Sequence, residues 1–287
     1  MNEAIKIMLN KYQITDLTSF EHAFKEIIQE IALLGLWRAK FFEHAVFYGG
    51  TALRIFYGLD RFSEDLDFSL LKPEPNFVLN LYHHAVEQEL VSFGFTVTIT
   101  QKTKNIESAI QSAFIKAETK KHLFEIGLSE KLSIYHDKKR AMKIKFEIDT
   151  DPPQNFETEA KYLLQPIEFY VKTFKIQDLF AGKMHAVLCR KWQNRVKGRD
   201  WYDMIWFIKN NFSLNLEHLQ ARMVQTGHWL PTNILTKKKL IDLLVTRIEQ
   251  IDFEAAKKDI APFIAEQTRL DIWSKAFFKD IVDRIRT

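Results

Sequence analysis

Two short runs hold the residues best suited to chemistry: Tyr48-Gly49-Gly50-Thr51-Ala52-Leu53-Arg54 and, a few residues later, Phe62-Ser63-Glu64-Asp65-Leu66-Asp67-Phe68-Ser69. Asp65-Leu66-Asp67-Phe68 alternates acidic and apolar residues at the period of a strand. Both carboxylates then leave one face while Leu66 and Phe68 enter the core. Adjacent carboxylates repel unless cations join them, and Mg²⁺ takes oxygen ligands while bridging substrate phosphates. Two such ions about 3.5–4 Å apart stabilise both the attacking and the leaving oxygen of an in-line displacement. Ala45 to Tyr48 reads as a short strand, Gly49-Gly50 as a turn free in φ, and 51–57 as a helix with Leu53, Phe56 and Tyr57 at helical spacing. A strand entering a helix through a Gly pair offers backbone N–H groups and the positive end of the helix dipole to a triphosphate. Alone, a Gly pair is usually a turn and an Asp-x-Asp a solvated edge; together and in this order they point to nucleotidyl transfer.

The runs Gly49-Gly50-Thr51-Ala52-Leu53-Arg54 and Arg61-Phe62-Ser63-Glu64-Asp65-Leu66-Asp67-Phe68 resemble the first motif of the AbiEii/AbiGii-type nucleotidyltransferase toxins, within the DNA polymerase β-like nucleotidyltransferase superfamily. The resemblance implies an α+β fold: a polymerase β-like core, with a mixed sheet flanked by helices, and a helical C-terminal lobe. It also implies the toxin of a bacterial toxin–antitoxin or phage-defence pair, with a cognate antitoxin whose direct binding is left open. Lys143 to Thr150 alternates again, with Ile144, Phe146 and Ile148 on one face and Lys145, Glu147 and Asp149 on the other. A third carboxylate there would ligate metal or act as a base toward the incoming hydroxyl. Glu147 stands where the family has its acid, with Asp149 as the alternative.

Lys183-Met184-His185-Ala186 is similar to the family's Lys-x-x-Ala element, and Arg199-Asp200-x-x-Asp203 to its final motif. Lys183 can neutralise triphosphate charge as a point cation, and Asp200 or Asp203 can hold that lysine or orient base and ribose. Purely structural roles compete, since Arg199 with Asp203 makes an i,i+4 pair and Asp200 could cap a helix. The candidate catalytic residues are therefore Asp65, Asp67, Glu147, Lys183, Asp200 and Asp203. Candidate nucleotide contacts are Gly49, Gly50, Thr51, Arg54, Ser63, Lys183 and Arg199. Asp65, Asp67 and Glu147 are the expected ligands of Mg²⁺ (or Mn²⁺), with an NTP as substrate.

Positioning elements are legible around these motifs. Thr18-x-x-Glu21 reads as a capping box opening a helix to about Leu34, with Phe20, Phe24, Ile27, Ile28 and Ile31 on its apolar face. A helix is expected over 77–93, strands over 96–100 and 124–126, and Pro152-Pro153 is expected to end the Glu147 strand and leave the core. Helical periodicity follows at 176–190, 197–209, 240–251 and 273–285. These spans predict a nucleotidyltransferase lobe over 1–165, N-terminal helices included, and a mainly helical lobe over 166–287.

With 287 residues, 46% of them hydrophobic, the chain can bury a core large enough for two lobes. No run of about 18 apolar residues signals a membrane span, and Met1-Asn2-Glu3-Ala4-Ile5-Lys6 lacks an apolar signal core. A cytoplasmic protein with no membrane partner is expected. Cys189 is the only cysteine, which excludes an intramolecular disulfide and a thiolate zinc cluster. His83-His84 point to different faces of a helix, and His185 is assigned to the packing of the Lys183 helix. From 181 to 247 there are twelve Lys or Arg against four Asp or Glu, a block able to track a nucleic-acid backbone. Arg190, Lys191, Arg195, Lys197 and Arg199, with Trp192 and Trp201 between them, suggest an RNA-facing patch, with the core as the alternative place for the tryptophans and a triphosphate site as the alternative reason for the charge. The resemblance adds tRNA as the acceptor; a small molecule, a protein acceptor or a non-catalytic nucleotide-binding protein are the alternatives.

Overall fold

The computed structural model describes residues 2–102, 109–118, 141–190 and 196–287. Helix α1 (Glu3–Leu9) precedes the long α2 (Leu17–Arg38), which buries Phe20, Phe24, Ile27, Ile28 and Ile31. The cap of α2 differs from the expected one. Asp16 accepts from the Ser19 amide at 2.7 Å and the Ser19 hydroxyl accepts from the Asp16 amide at 3.0 Å. A carboxylate aimed at the third helical amide is a strong cap, so the helix starts at Leu17, ahead of the Thr18–Glu21 pair.

Among the described residues a seven-stranded mixed sheet runs in the order β3-β4-β5-β2-β1-β7-β6. Its strands are β1 (Ala45–Tyr48), β2 (Leu66–Leu70), β3 (Val97–Lys102), β4 (Ile110–Glu118), β5 (Ala141–Asp149), β6 (Thr158–Leu163) and β7 (Phe169–Phe174). Helix α3 (Gly49–Tyr57) leaves β1, and a short 3₁₀ turn at Leu79–Tyr82 leads into α4 (His83–Ser92), dividing the single helix expected over 77–93. β2 is antiparallel to β1 and parallel to β5, while β7 is parallel to β1 through Phe47 and Thr173. Phenylalanines fill the core beneath: the Phe68 ring lies 5.0 Å from both Phe41 and Phe146 and 5.1 Å from Phe47.

Pro152-Pro153 ends β5 but does not take the chain out of the sheet, because β6 and β7 follow it. Phe169, Val171 and Thr173 are buried on alternate positions, the period-2 pattern of a strand covered on that face. The strand expected over 124–126 lies outside the described residues.

The chain divides into two compact units, one of residues 1–51, 64–152 and 160–173, the other of 52–63, 153–159 and 174–287. In the second, α5 (Ile176–Cys189), α6 (Gly198–Lys209), α7 (Leu216–Gln225), α8 (Lys237–Gln250), α9 (Phe253–Ile260) and α10 (Lys275–Val282) follow in turn. Phe180 of α5 stacks on Phe207 of α6 at 4.3 Å. No described helix is long and apolar enough to cross a membrane.

Candidate active site

In the first unit, strand register decides which carboxylates meet. Leu66 and Phe68 are fully buried, so Asp67 between them projects from the opposite face. Asp67 is paired with Glu147 across the parallel β2/β5 ladder, and Ser69 with Asp149. Residues so paired lie side by side, about 4.8 Å apart. Tyr48 pairs with Asp67 on one flank and Ser112 with Glu147 on the other, giving the row Ser112, Glu147, Asp67, Tyr48 across four strands. Glu147 accepts from the Ser112 hydroxyl at 2.7 Å and meets Lys145 Nζ at 2.5 Å, so its side chain is held from both sides. Asp149 instead accepts from the amide of Asp151 at 3.0 Å, closing the turn after β5.

Gly49 brings the helix start against this row. Its φ is 85°, and a Cβ there would lie 2.5 Å from Asp67 Oδ2. Only glycine allows both that backbone and that approach. The Asp67 carboxylate therefore rests at the N-terminus of α3, where the helix dipole favours negative charge. Gly50 is buried in the first turn. The Thr51 hydroxyl donates to the Asp65 carbonyl, which ties the residue ahead of β2 to the same turn.

Arg54 and Ser63 belong to the second unit. Arg54 donates to the Leu59 carbonyl at 3.1 Å, and its guanidinium lies 4.5 Å from the centre of the Phe62 ring. It holds the chain between α3 and β2. Ser63 is half-buried at the end of that stretch.

The second unit gathers Lys183 of α5 with Asp200 and Asp203, one turn apart on α6. Lys183 Nζ is 2.7 Å from Asp203 Oδ2 and 3.7 Å from Asp200 Oδ1. Asp203 also receives a bidentate contact from Arg61, 2.6 Å from Nε and 2.7 Å from Nη2. Burial pushes the Asp203 carboxyl upward, but Arg61 and Lys183 outweigh it and hold it below its ordinary range. Burial likewise opposes the charge on Arg61, and Asp203 overcomes it. Asp200 accepts from Arg190 at 2.9 Å. Three cations thus face two carboxylates among these groups, and the surplus charge is positive.

Neither competing structural role for this motif is what the structure contains. The Arg199 guanidinium lies 4.3 Å from the centre of the Phe263 ring and 3.9 Å from Asp259 Oδ2, while Asp203 is engaged by Arg61 and Lys183. Lys197 occupies the N-cap position of α6, with Asp200 inside its first turn.

Arg61 had no assigned role in the sequence, although it opens the Asp65–Asp67 motif. Its partner lies 142 residues away, and no local spacing announces it. Of the two places open to Trp201, RNA stacking or the core, the structure takes the core: it is fully buried, in edge contact with Phe253 at 5.9 Å and Phe278 at 5.1 Å. An indole packed in this way cannot stack on a base. Lys191, Trp192 and Arg195 lie outside the described residues.

Asp67 and Glu147, side by side in the ladder, offer only oxygen donors, the kind that a hard divalent cation such as Mg²⁺ or Mn²⁺ takes. Among known proteins, the family described as "Nucleotidyl transferase AbiEii toxin, Type IV TA system" matches residues 31–279. No curated protein matches the chain. Two Helicobacter pylori crystal structures are similar. JHP933 shares 19% identity at a TM-score of 0.49, over 92% of this chain and 88% of its own. A candidate nucleotidyltransferase shares 18% identity at 0.46, over 90% and 92%.

Proposed function

The chain belongs to the AbiEii nucleotidyl transferase toxin family of type IV toxin–antitoxin systems, and from that premise we propose that it transfers a nucleoside monophosphate from an NTP to an acceptor hydroxyl of RNA, at the 3′ end of tRNA. The observation carrying this reading is the register pairing of Asp67 with Glu147 beside the Gly49 approach. Aligned carboxylates at a helix N-terminus suit a triphosphate whose charge is shared with a divalent cation.

Asp65, Asp67 and Glu147 would hold that cation. When bound it supplies Lewis-acid polarisation of the phosphoryl oxygens. The acceptor hydroxyl gives its proton to Glu147 or to solvent and its oxygen attacks the α-phosphorus, the bond to the leaving oxygen breaks, and pyrophosphate departs. Ser112 and Lys145 keep Glu147 in place for its part. In the first unit the amides of Gly49, Gly50 and Thr51 would cradle phosphate oxygens; in the second, Asp203 and Asp200 fix Lys183, the cation that the family resemblance assigns to the triphosphate. Arg54, Ser63 and Arg199 complete the proposed nucleotide contacts. The basic excess over 181–247 supports RNA as the acceptor. The protein works in the cytoplasm, opposed by its antitoxin.

The test is to incubate the purified protein with a divalent cation, each α-labelled NTP in turn and total bacterial RNA, beside an Asp65→Ala/Asp67→Ala variant. Label entering a tRNA-sized band with the parent alone is the expected result. Label on protein or a small molecule would replace the acceptor, and equal labelling by the variant would sink the carboxylate mechanism. Charge reversal at Arg195 and Lys197 should abolish RNA labelling while NTP binding persists.

A further inference from the structure

Within the second unit, α5 carries two members of a nitrogen and sulfur cluster. His185 and Cys189 are four residues apart, so one helix face presents both. His228 follows α7 after a turn at Gly227, whose φ is 73°, and the His228 amide donates to the Met223 carbonyl at 2.8 Å. One ligand atom from each of His185, Cys189 and His228 lies within 4.8 Å of the others. Ligands of one tetrahedral Zn²⁺ are separated by roughly 3.5 Å, so side-chain shifts of about 1 Å would close the set.

Thr226 orders the two rings. Its Oγ1 is 2.9 Å from His185 Nε2 and 2.9 Å from His228 Nδ1. The hydroxyl donates its own hydrogen to the Arg222 carbonyl at 2.9 Å, leaving the oxygen to accept from both rings. Each neutral imidazole then spends its N–H on Thr226 and keeps a lone pair on its other nitrogen, Nδ1 of His185 and Nε2 of His228. Metal-binding histidines are oriented in this way, with the non-ligating N–H fixed by a protein oxygen.

We propose that His185, Cys189 and His228 bind a borderline-soft ion of the Zn²⁺ class, which ties the 226–228 turn to the helix carrying Lys183. The fourth position is left to water. Sulfur and imidazole ligands select this class over Mg²⁺, so the site is chemically separable from the carboxylates. It does not depend on the transferase reading. The single cysteine excludes a multi-thiolate cluster, but one thiolate with two imidazoles suffices.

The experiment is a Co²⁺ titration of the metal-free, full-length protein, read by thiolate-to-cobalt charge-transfer absorption. One equivalent should saturate the band and Zn²⁺ should bleach it. Cys189→Ser should abolish the band. His228→Ala, at an exposed position that does not threaten folding, should weaken Co²⁺ binding at least tenfold, and Asp65→Ala/Asp67→Ala should leave it intact. A parent with no sulfur band, or a His228→Ala variant with undiminished affinity, overturns the proposal.

Discussion

A methyl group on Gly49 would fall 2.5 Å from Asp67 Oδ2 and 3.1 Å from its Cβ, so one of the two must move. At a φ of 85° the backbone alone costs a non-glycine residue about 1–2 kcal/mol. Gly49→Ala is therefore expected to lower stability by at least that amount in chemical denaturation, and to cut NMP transfer more than tenfold by displacing Asp67. A variant that transfers at the parental rate would show that Asp67 need not sit there. Alternation in the sequence already placed Asp67 and Glu147 on strand faces. It could not choose between Glu147 and Asp149, which share a face, because only the ladder with β2 shows which one stands opposite Asp67. His185 was assigned to helix packing and Cys189 to no site, because His228 joins them through a turn that no local spacing announces.

Helix α2 carries a buried polar stretch, Glu26, Gln29 and Glu30, along its otherwise apolar length. Glu26 accepts from the Tyr12 hydroxyl at 3.0 Å, and Lys11 Nζ approaches Glu30 only to 3.9 Å. Burial pushes the Glu30 carboxyl up to about 7, with Lys11 opposing and Glu26 adding to it. Since the folded value lies above the unfolded one, ionising Glu30 costs stability. That cost is absent below about pH 4.5, grows as pH rises toward 7, and then levels off. Glu30→Gln should be more stable than the parent at pH 8 by on the order of 3 kcal/mol, with the difference vanishing near pH 4. Urea unfolding at both pH values checks this, and parallel curves would refute it. Periodicity placed α2, α3, α5, α6, α8 and α10 to within about a turn, whereas α4 starts six residues later than expected and α1, α7, α9, β4, β6 and β7 were not singled out. The residues of β6 are half-buried or exposed rather than cleanly alternating, and β7 is short and runs almost directly into α5.

Over the whole molecule, the α+β architecture and the family followed from motifs that local chemistry explains, whereas the long-range pairings did not. The Arg61–Asp203 ion pair is the clearest of these, joining two distant stretches of the second unit. Asp203 is held below its ordinary range by Arg61 and Lys183 against its burial. Its contribution is thus full above the unfolded carboxylate value of about 4 and is lost as pH falls through the lower folded value. Asp203→Asn leaves Arg61 buried without its counter-charge and should cost about 3–5 kcal/mol at pH 7. Its melting temperature should also depend less on pH below 4 than the parent's. Identical acid limbs would place the acid-sensitive group elsewhere.

That pairing also sets a clock on biosynthesis. Arg61 is made 142 residues before Asp203, a delay of about 7–30 s at ordinary translation rates. β1 likewise waits for β7, which supplies its parallel neighbour. Throughout that interval the guanidinium must stay hydrated or lean on a chaperone, so closure of the second unit follows the pace of the ribosome and not the intrinsic speed of its helices.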